Sequence, residues 1–323
     1  MQRILAVAMG AGPRAGGSGI FRDLQKGQSK QVEVRPYVAG LIQGLKRLGL
    51  EDGRDYEIKY ATCEPKTLRA MVKEALAEEG ADAIFAMSTS AVKAAMAITK
   101  EIPIVFPSVS EPEQDKVVKS CAAPGTNVTG VRAMRSQTAG ECLELFKATV
   151  PSLKKVFGLH KKDYPPAKEA LKRLKPSIRK ARVSFKPIVV ASHRDIEAKL
   201  LEIAKKEAPG QAGVLVLPDD LVLSASRLIA RLGQEKRLPT FFPTTDWVNS
   251  DSPSALGGYG VPQFACGEAA AAYIYKIFSK GVKANVLPVK RIGGFEWAVN
   301  TQVARAIGVD IPKNVLDAAD RVI

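Results

Sequence analysis

Short apolar segments that end in small hydroxyl or acidic residues recur along this chain, and helical periodicity follows them. Met87-Ser-Thr-Ser90, Leu217-Pro-Asp-Asp220 and Pro243-Thr-Thr-Asp246 are three such ends. Repeated β-α units predict parallel sheets with right-handed crossovers. The carboxyl ends of parallel strands meet at one edge of a sheet, where open α/β proteins bind ligands. We therefore expect an α/β protein with a small-molecule site at this edge.

The strand and helix series runs twice along the 323 residues, first to about 131 and again from about 139. This length exceeds what a single core usually serves. The fold class that we predict is α/β, with two Rossmann-like lobes, parallel sheets and a multi-crossing hinge. Lobe 1 is expected at 1–132 plus 262–288, and lobe 2 at 133–261 plus 289–323. A chain that crosses between lobes several times is typical of proteins that close on a ligand.

Individual elements can also be predicted from the patterns. These indicate a strand over 127–131, a single helix over 221–232 and a last extended segment over 289–300. The run 102–109 is a further predicted strand, so that the hydroxyls of Ser108 and Ser110 come at its end.

The formal charge of +15 is concentrated between 151 and 190, where twelve Lys or Arg residues face only Asp163 and Glu169. Such a block is typical of a nucleic-acid or anionic-membrane surface, or of a solvated helix face. Few aromatic residues interrupt it, which argues against stacking of bases. We therefore expect a solvated face, with Lys168 and Lys172 in water and no nucleic-acid partner.

The residues give little material for catalysis. The four cysteines are widely spaced without a C-x-x-C motif, which argues against zinc and thioredoxin-like chemistry. A disulfide between two of them remains an alternative. His160 and His193 are the only histidines, so a catalytic triad is not indicated. We expect no enzyme activity, no metal and no cofactor.

The loop 10–15 matches the dinucleotide fingerprint G-x-G-x-x-A. That motif requires a helix that opens at its second glycine and an acid at the end of the next strand. Neither is found here, because the first helical pattern begins near Arg35 and Tyr60-Ala-Thr-Cys63 ends the next strand. The interpretation that we prefer is a loop at the edge of a ligand site.

The strand-end residues allow two interpretations. Ser88 or Thr89 is a natural helix N-cap, but three consecutive hydroxyls beside a helix N-terminus also suit a carboxylate. One of Asp219 and Asp220 is expected to cap a helix, which would leave the other for a ligand ammonium. An amino acid would satisfy both ends, and a carboxylic acid without an amine is the nearest alternative.

Several segments together resemble a known family. They are the opening strand, Gly40-Leu-Ile-Gln-Gly-Leu-Lys-Arg-Leu-Gly49, Ile102-Pro-Ile-Val-Phe106, Pro124-Gly-Thr-Asn-Val-Thr-Gly130, Tyr259-Gly260 and Ala304-Arg-Ala-Ile-Gly-Val-Asp-Ile-Pro312. The chain resembles the ABC-transporter substrate-binding proteins of the tryptophan- and tyrosine-binding type, with a type I periplasmic-binding-protein fold. It departs from that pattern at Glu111-Pro112, where Asp-Pro is common, and at Pro262-Gln263, where Asp-Tyr is common. These departures suggest a ligand other than an aromatic amino acid.

The resemblance implies a monomeric receptor that delivers a small-molecule ligand to a membrane ABC permease. It also implies a periplasmic or membrane-tethered location, with a leader removed before residue 1, since residues 3–9 do not form a signal peptide. The alternatives are a cytoplasmic enzyme or ligand sensor on a Rossmann-like fold, and nucleic-acid binding through 151–190. The ligand-binding residues that we predict are Met9, Gly10, Ser88, Thr89, Ser90, Ser108, Ser110, Glu111, Asn127, Thr129, Asp219, Asp220, Thr245, Asp246 and Tyr259.

Overall fold

The computed structural model describes residues 1–9, 19–21, 36–63 and 67–323. The elements up to 133 are β1 (Gln2–Met9), β2 (Gly19–Phe21), α1 (Pro36–Arg47), β3 (Tyr56–Cys63), α2 (Leu68–Glu79), β4 (Ala83–Ala86), α3 (Thr89–Ile98), β5 (Ile104–Phe106) and β6 (Val128–Arg132). From 134 to 262 they are α4 (Ala139–Thr149), β7 (Lys155–Lys161), α5 (Pro165–Ala181), β8 (Ser184–Val190), α6 (His193–Lys206), β9 (Ala212–Val216), α7 (Asp220–Ser224), α8 (Ser226–Glu235), β10 (Thr240–Phe242) and β11 (Gly257–Gly260). The remaining elements are α9 (Gln263–Lys280), a 3-10 turn (Ala284–Val286), β12 (Lys290–Arg291), β13 (Glu296–Val299), α10 (Thr301–Ile307), α11 (Lys313–Ala318) and β14 (Arg321–Val322).

The chain divides into two compact units. Unit 1 comprises Met1–Ala133 and Gln263–Ile292, and unit 2 comprises Met134–Pro262 and Gly293–Ile323. The chain therefore passes from one unit to the other after 133, after 262 and after 292. The lobes predicted from the sequence change over after 132, 261 and 288, so the last boundary differs most.

Unit 1 is built on a seven-stranded sheet in the order β12-β6-β5-β4-β1-β3-β2. Its strands pair in parallel except β2, which is antiparallel to β3. Every residue of β4 and β5 is buried, as expected for central parallel strands covered on both faces. The carboxyl ends of β4, β5 and β6 consequently lie side by side along one edge.

Helices α1 and α9 of unit 1 pack in close contact through glycines. A Cβ atom added to Gly40 would lie 2.0 Å from the carbonyl oxygen of Phe264, and one added to Gly267 would lie 2.0 Å from that of Tyr37. Both distances are far below van der Waals contact. Gly40, the first residue of the family-like segment that ends at Gly49, is thus needed for the contact between α1 and α9.

Unit 2 contains a second seven-stranded sheet, in the order β14-β13-β11-β10-β9-β7-β8. Strands β7 to β11 are parallel, but β13 is antiparallel to β11. The prediction of one extended segment over 289–300 is therefore wrong: β12 joins the sheet of unit 1 and β13 joins that of unit 2. Gly293 and Gly294 lie between them.

The prediction of a single helix over 221–232 is also wrong, because the helix is interrupted at Ala225 (φ −97°, ψ 13°). Two serine hydroxyls donate to nearby carbonyls at the break, Ser224 to Leu221 O (2.7 Å) and Ser226 to Leu223 O (2.6 Å). Such local bonds compete with the helical pattern. The result is the short helix α7, which begins at Asp220, followed by the separate helix α8.

The lysines on α5 remain in water, which confirms that prediction. The side chains of Lys168 and Lys172 are 57% and 75% exposed. Lys168 pairs with Asp163 at 2.7 Å, and Lys172 lies 3.8 Å from Glu169. The net positive charge of this face is therefore partly balanced by its own carboxylates.

Candidate functional site

The first group of predicted residues follows β4 in unit 1. Ser88 is the N-cap of α3, and its Oγ accepts a hydrogen bond from the Ala91 N–H (3.1 Å). Thr89, which is buried, donates to Asp115 Oδ2 at 3.4 Å, while Ser90 is half-buried in the first helical turn. The hydroxyl of Ser88 thus serves the helix, and the positive end of the α3 dipole faces the carboxyl edge of the sheet.

The second group follows β5 and contains a cation that was not among the predicted residues. Ser108 is half-buried, and Ser110 and Glu111 are buried. Arg132, the last residue of β6, donates from Nε to Ser110 O (3.2 Å) and from Nη2 to Glu111 Oε2 (3.1 Å). The guanidinium side chain is 23% exposed. A basic residue directly after Asn-Val-Thr-Gly-Val131 was the sequence signal for it.

Asn127 and Thr129 do not lie at this edge, so the prediction that placed them at strand carboxyl ends is wrong. Asn127 precedes β6, and its Nδ2 donates to Ile102 O (2.7 Å) at the amino end of β5. Thr129 lies inside β6, fully buried, and donates to Leu287 O (2.7 Å). The Pro-Gly-Thr-Asn run is the turn that begins this strand, and its polar groups hold the turn and the strand in place.

Met9 is the last residue of β1, paired in register with Cys63 of β3. That position puts its backbone at the carboxyl edge. Gly10 and the loop 10–15 lie outside the described residues.

In unit 2, the two adjacent aspartates after β9 are both engaged. Asp219 is fully buried and caps α7, its Oδ1 accepting from Leu221 N (3.0 Å) and Val222 N (3.3 Å). Its Oδ2 accepts from Lys161 N (2.7 Å), and Lys161 Nζ lies 3.0 Å from Asp220 Oδ1. The prediction that one aspartate caps the helix is confirmed, but the prediction that the other is free for a ligand is wrong.

Burial raises the pKa of Asp219 to about 6, and the nearby charge of Asp220 acts in the same direction. The backbone donors of Lys161 and Val222 oppose this change. Removal from water therefore outweighs the hydrogen bonds that favour the ionised carboxylate.

A second polar cluster of unit 2 follows β10. Thr245 is buried, its hydroxyl donating to Glu296 Oε2 (2.6 Å), while Arg321 Nη2 donates to Thr245 O (2.9 Å). Asp246 is half-buried and accepts a hydrogen bond from the Thr244 hydroxyl. The hydroxyl of Thr245 is thus committed to the protein, and the carboxylate of Asp246 is engaged by Thr244.

Tyr259, on β11, is half-buried and stacks on Phe295 with ring centroids 5.8 Å apart. Burial raises the pKa of its hydroxyl, so it stays neutral and can donate a hydrogen bond. Phe295 lies immediately before β13, in a region for which the sequence predicted only an extended backbone. This aromatic pair was therefore not predicted.

Histidine and cysteine are the side-chain types here that could in principle react with a substrate. His193 Nε2 lies 2.8 Å from Ser224 Oγ, but that hydroxyl donates to Leu221 O. Cys121 and Cys142 are free thiols. Across residues 1–9, 19–21, 36–63 and 67–323, no group of three or more His, Cys, Asp or Glu side chains is placed to hold a metal ion. In those same ranges no helix has the length and apolar character needed to cross a membrane.

Comparisons with known proteins indicate the family and the fold of this chain. The family model described as "ABC transporter substrate binding protein" matches residues 33–323. A relative described as a tyrosine-binding protein of Clostridioides difficile (strain R20291) is 24% identical over 272 residues, which cover 83% of this chain and 75% of the relative. The similarity between the two sequences therefore extends over most of the length of the relative.

Solved structures share the fold over the whole chain. An ABC domain in complex with L-Trp from Streptococcus pneumonia has a TM-score of 0.76 at 21% identity, covering 100% of this chain and 99% of that one. A conserved domain protein from Vibrio cholerae has a TM-score of 0.77 at 23% identity, with the same coverage. The chain thus belongs to the ABC-transporter substrate-binding protein family and is a solute-binding protein with the type I periplasmic-binding-protein fold.

Proposed function

We propose that this protein binds a zwitterionic amino acid through strand-end groups and delivers it to a membrane ABC permease. The family match over 33–323 supports the class of function. The tyrosine-binding relative and the L-Trp complex of a structural neighbour support an amino acid as the class of ligand.

The position of Arg132 is the observation that supports binding of the ligand's carboxylate group. It ends β6, and the N-terminus of α3 follows β4, with β5 between the two strands. Neighbouring strands lie about 4.8 Å apart, so the two strands that carry these positive groups are separated by about 10 Å. A guanidinium group binds a carboxylate with two parallel hydrogen bonds, and helix N–H groups add to the attraction.

The ammonium end is assigned to Asp246 and the side chain to Tyr259 and Phe295. Asp246 replaces Asp219 and Asp220 in this role, because those two are a buried cap and a partner of Lys161. The stacked Tyr259–Phe295 pair offers an aromatic face to an apolar or aromatic side chain. Ser88, Thr89, Ser90, Ser108 and Ser110 remain candidates through their hydroxyl or backbone groups.

Members of this family are extracytoplasmic, and we propose that location here, either periplasmic or membrane-tethered after removal of a leader. The protein works as a monomer in this proposal, without a cofactor and without catalysis. Delivery is tested with proteoliposomes that hold the permease: uptake of labelled solute requires both this protein and ATP. Uptake that is unchanged when the protein is omitted contradicts delivery.

Ligand class is tested by calorimetric unfolding with a matched panel of compounds. L-tryptophan, L-tyrosine and L-leucine carry both charged groups, tryptamine lacks the carboxylate and indole-3-propionate lacks the amine. A ligand present at about 100 times its Kd adds about 2.7 kcal/mol to the free energy of unfolding. We expect at least one amino acid to stabilise the protein, and neither truncated compound to do so. Equal stabilisation by indole-3-propionate and tryptophan contradicts the role of an ammonium.

A further inference from the structure

A pocket of about 190 Å³ lies within unit 1, between α9 and the edge strand β12. Its floor is apolar and is formed by Val131, Ala269, Ala272, Leu287 and the ring of Tyr273. None of these residues belongs to the strand-end groups of the candidate solute site. The pocket therefore needs an explanation of its own.

The pocket exists because small side chains face it. Ala269, Ala272, Tyr273 and Lys276 follow the spacing of a single helical stripe on α9. Two of the four are alanines, which leave a groove between the helix and the sheet. Lys276 continues the same stripe to the rim of the pocket.

The wall of the pocket opposite α9 is held in place by hydrogen bonds. The Tyr273 hydroxyl donates to Pro288 O (2.8 Å) and accepts from Lys290 N (3.1 Å). Val289 N donates to Cys121 O at 2.7 Å. A pocket with fixed walls binds a ligand without the cost of ordering them first.

Three cations lie at the rim: Lys276, Lys290 and Arg291. All three are exposed, and within the described part of the chain none lies within 4 Å of a carboxylate oxygen. Of the acids in unit 1, Glu268 pairs with Arg47, and Glu113 Oε1 accepts from Cys121 N (2.6 Å). The positive charge of the rim is therefore not balanced locally.

We propose that this pocket is a second binding site, which takes a small apolar monocarboxylate. The hydrocarbon part lies in the alanine-lined groove, and the carboxylate lies at the rim among Lys276, Lys290 and Arg291. Pockets for drug-sized ligands measure about 300–1,000 Å³, so the occupant here is smaller. An apolar floor with a cationic rim selects against ammonium compounds and against polar sugars.

Octanoate is the probe for this site, and octylamine is its matched control because it has the same chain and the opposite charge. Titration calorimetry of the full chain is expected to give a Kd on the order of 1 mM for octanoate, as suits about ten non-hydrogen atoms. Octylamine is expected not to bind. Failure of octanoate to bind at several times that concentration, or equal binding of both probes, overturns the proposal.

Variants locate the binding within the protein. Ala272→Phe fills the groove and is expected to abolish octanoate binding while leaving amino-acid binding intact. Lys276→Gln combined with Lys290→Gln is expected to weaken octanoate binding about fivefold, as for exposed ion pairs. Both lysines are exposed, so we expect the double variant to fold. Lys280→Gln on the same helix, outside the pocket, is the matched control and leaves the affinity unchanged. Octanoate affinity that survives both Ala272→Phe and the lysine pair places the acid elsewhere and overturns the proposal.

Discussion

Arg132 Nη2 lies 3.1 Å from Glu111 Oε2 at the carboxyl edge of the sheet in unit 1. The carboxylate is buried, with a side chain 7% exposed, whereas the guanidinium is 23% exposed. Glu111 therefore fixes the orientation of a cation whose remaining N–H groups can meet a ligand. This pair joins the end of β6 to the segment that follows β5.

Substitution of Arg132 tests the carboxylate seat. Arg132→Gln is expected to weaken binding of the amino acid by at least about tenfold, because a charged hydrogen bond contributes about 1.5–3 kcal/mol. It also leaves Glu111 without this ion pair, and we expect lower stability. Calorimetric titration and denaturant unfolding measure the two effects.

The double variant Arg132→Gln with Glu111→Gln separates these effects, because it removes both charges. It is expected to recover stability without recovering affinity. Arg54→Gln, which disrupts an exposed pair with Asp55, is the control and is expected to change neither quantity. Recovery of affinity in the double variant would show that Arg132 does not bind the solute.

The raised pKa of Asp219 predicts a pH dependence of stability. The folded-state pKa is about 6 against an ordinary value of 3.8, so the folded state binds the proton more tightly than the unfolded state. Between these two values the stability falls as the pH rises, by up to about 3 kcal/mol, and above pH 6 the loss is complete.

Asp219→Asn removes this titration and keeps a side chain that can cap α7. The stability of the wild type minus that of the variant should therefore decrease between pH 4 and pH 6, measured by urea unfolding. A difference that rises over this range would contradict the assignment. Solute affinity is expected to be unchanged in the variant, since Asp219 is fully buried.

The contact of α1 with α9 predicts strong sensitivity at its glycines. Gly40→Ala or Gly267→Ala places a Cβ atom 2.0 Å from a backbone oxygen of the other helix. Backbone cannot yield as a flexible side chain does, so each variant is expected to lose about 1–3 kcal/mol or more. Thermal unfolding measures the loss.

Gly293→Ala is the matched control for these variants, because nothing lies within 4 Å of the Cβ position there. It is expected to leave the midpoint of unfolding close to that of the wild type. Equal midpoints for Gly40→Ala and Gly293→Ala would mean that the two helices are too far apart for the glycines to be needed.

The basic face of α5 is expected to have no role in solute binding. Lys168→Glu together with Lys172→Glu reverses two exposed charges. At physiological salt the Debye length is about 8 Å, which screens such charges from a distant ligand. The Kd of the solute is expected to change less than about twofold, and a larger loss would place these lysines at the ligand.

The candidate site shows which parts the sequence could predict. Hydroxyl and acidic residues that end apolar strands were recognisable because local order fixes them, as with Ser88 at the N-cap of α3 and Asp219 at that of α7. Asn127 and Thr129 were wrongly assigned to the carboxyl edge, although the strand predicted over 127–131 begins at Asn127.

The sequence by itself determined the alternation of strands and helices, the presence of two units and the family, because apolar periodicity and turn residues act over a few positions. Only the tertiary structure decided which polar groups are already used. Lys161 pairs with Asp220, which is 59 positions later in the chain. Tyr259 stacks on Phe295, although the chain passes into unit 1 and returns to unit 2 between these two residues. Such pairs depend on the order of strands in each sheet, and hydrogen bonding between distant strands sets that order. For the same reason the groove beside Ala269 and Ala272 becomes a pocket only when β12 joins the edge of the first sheet.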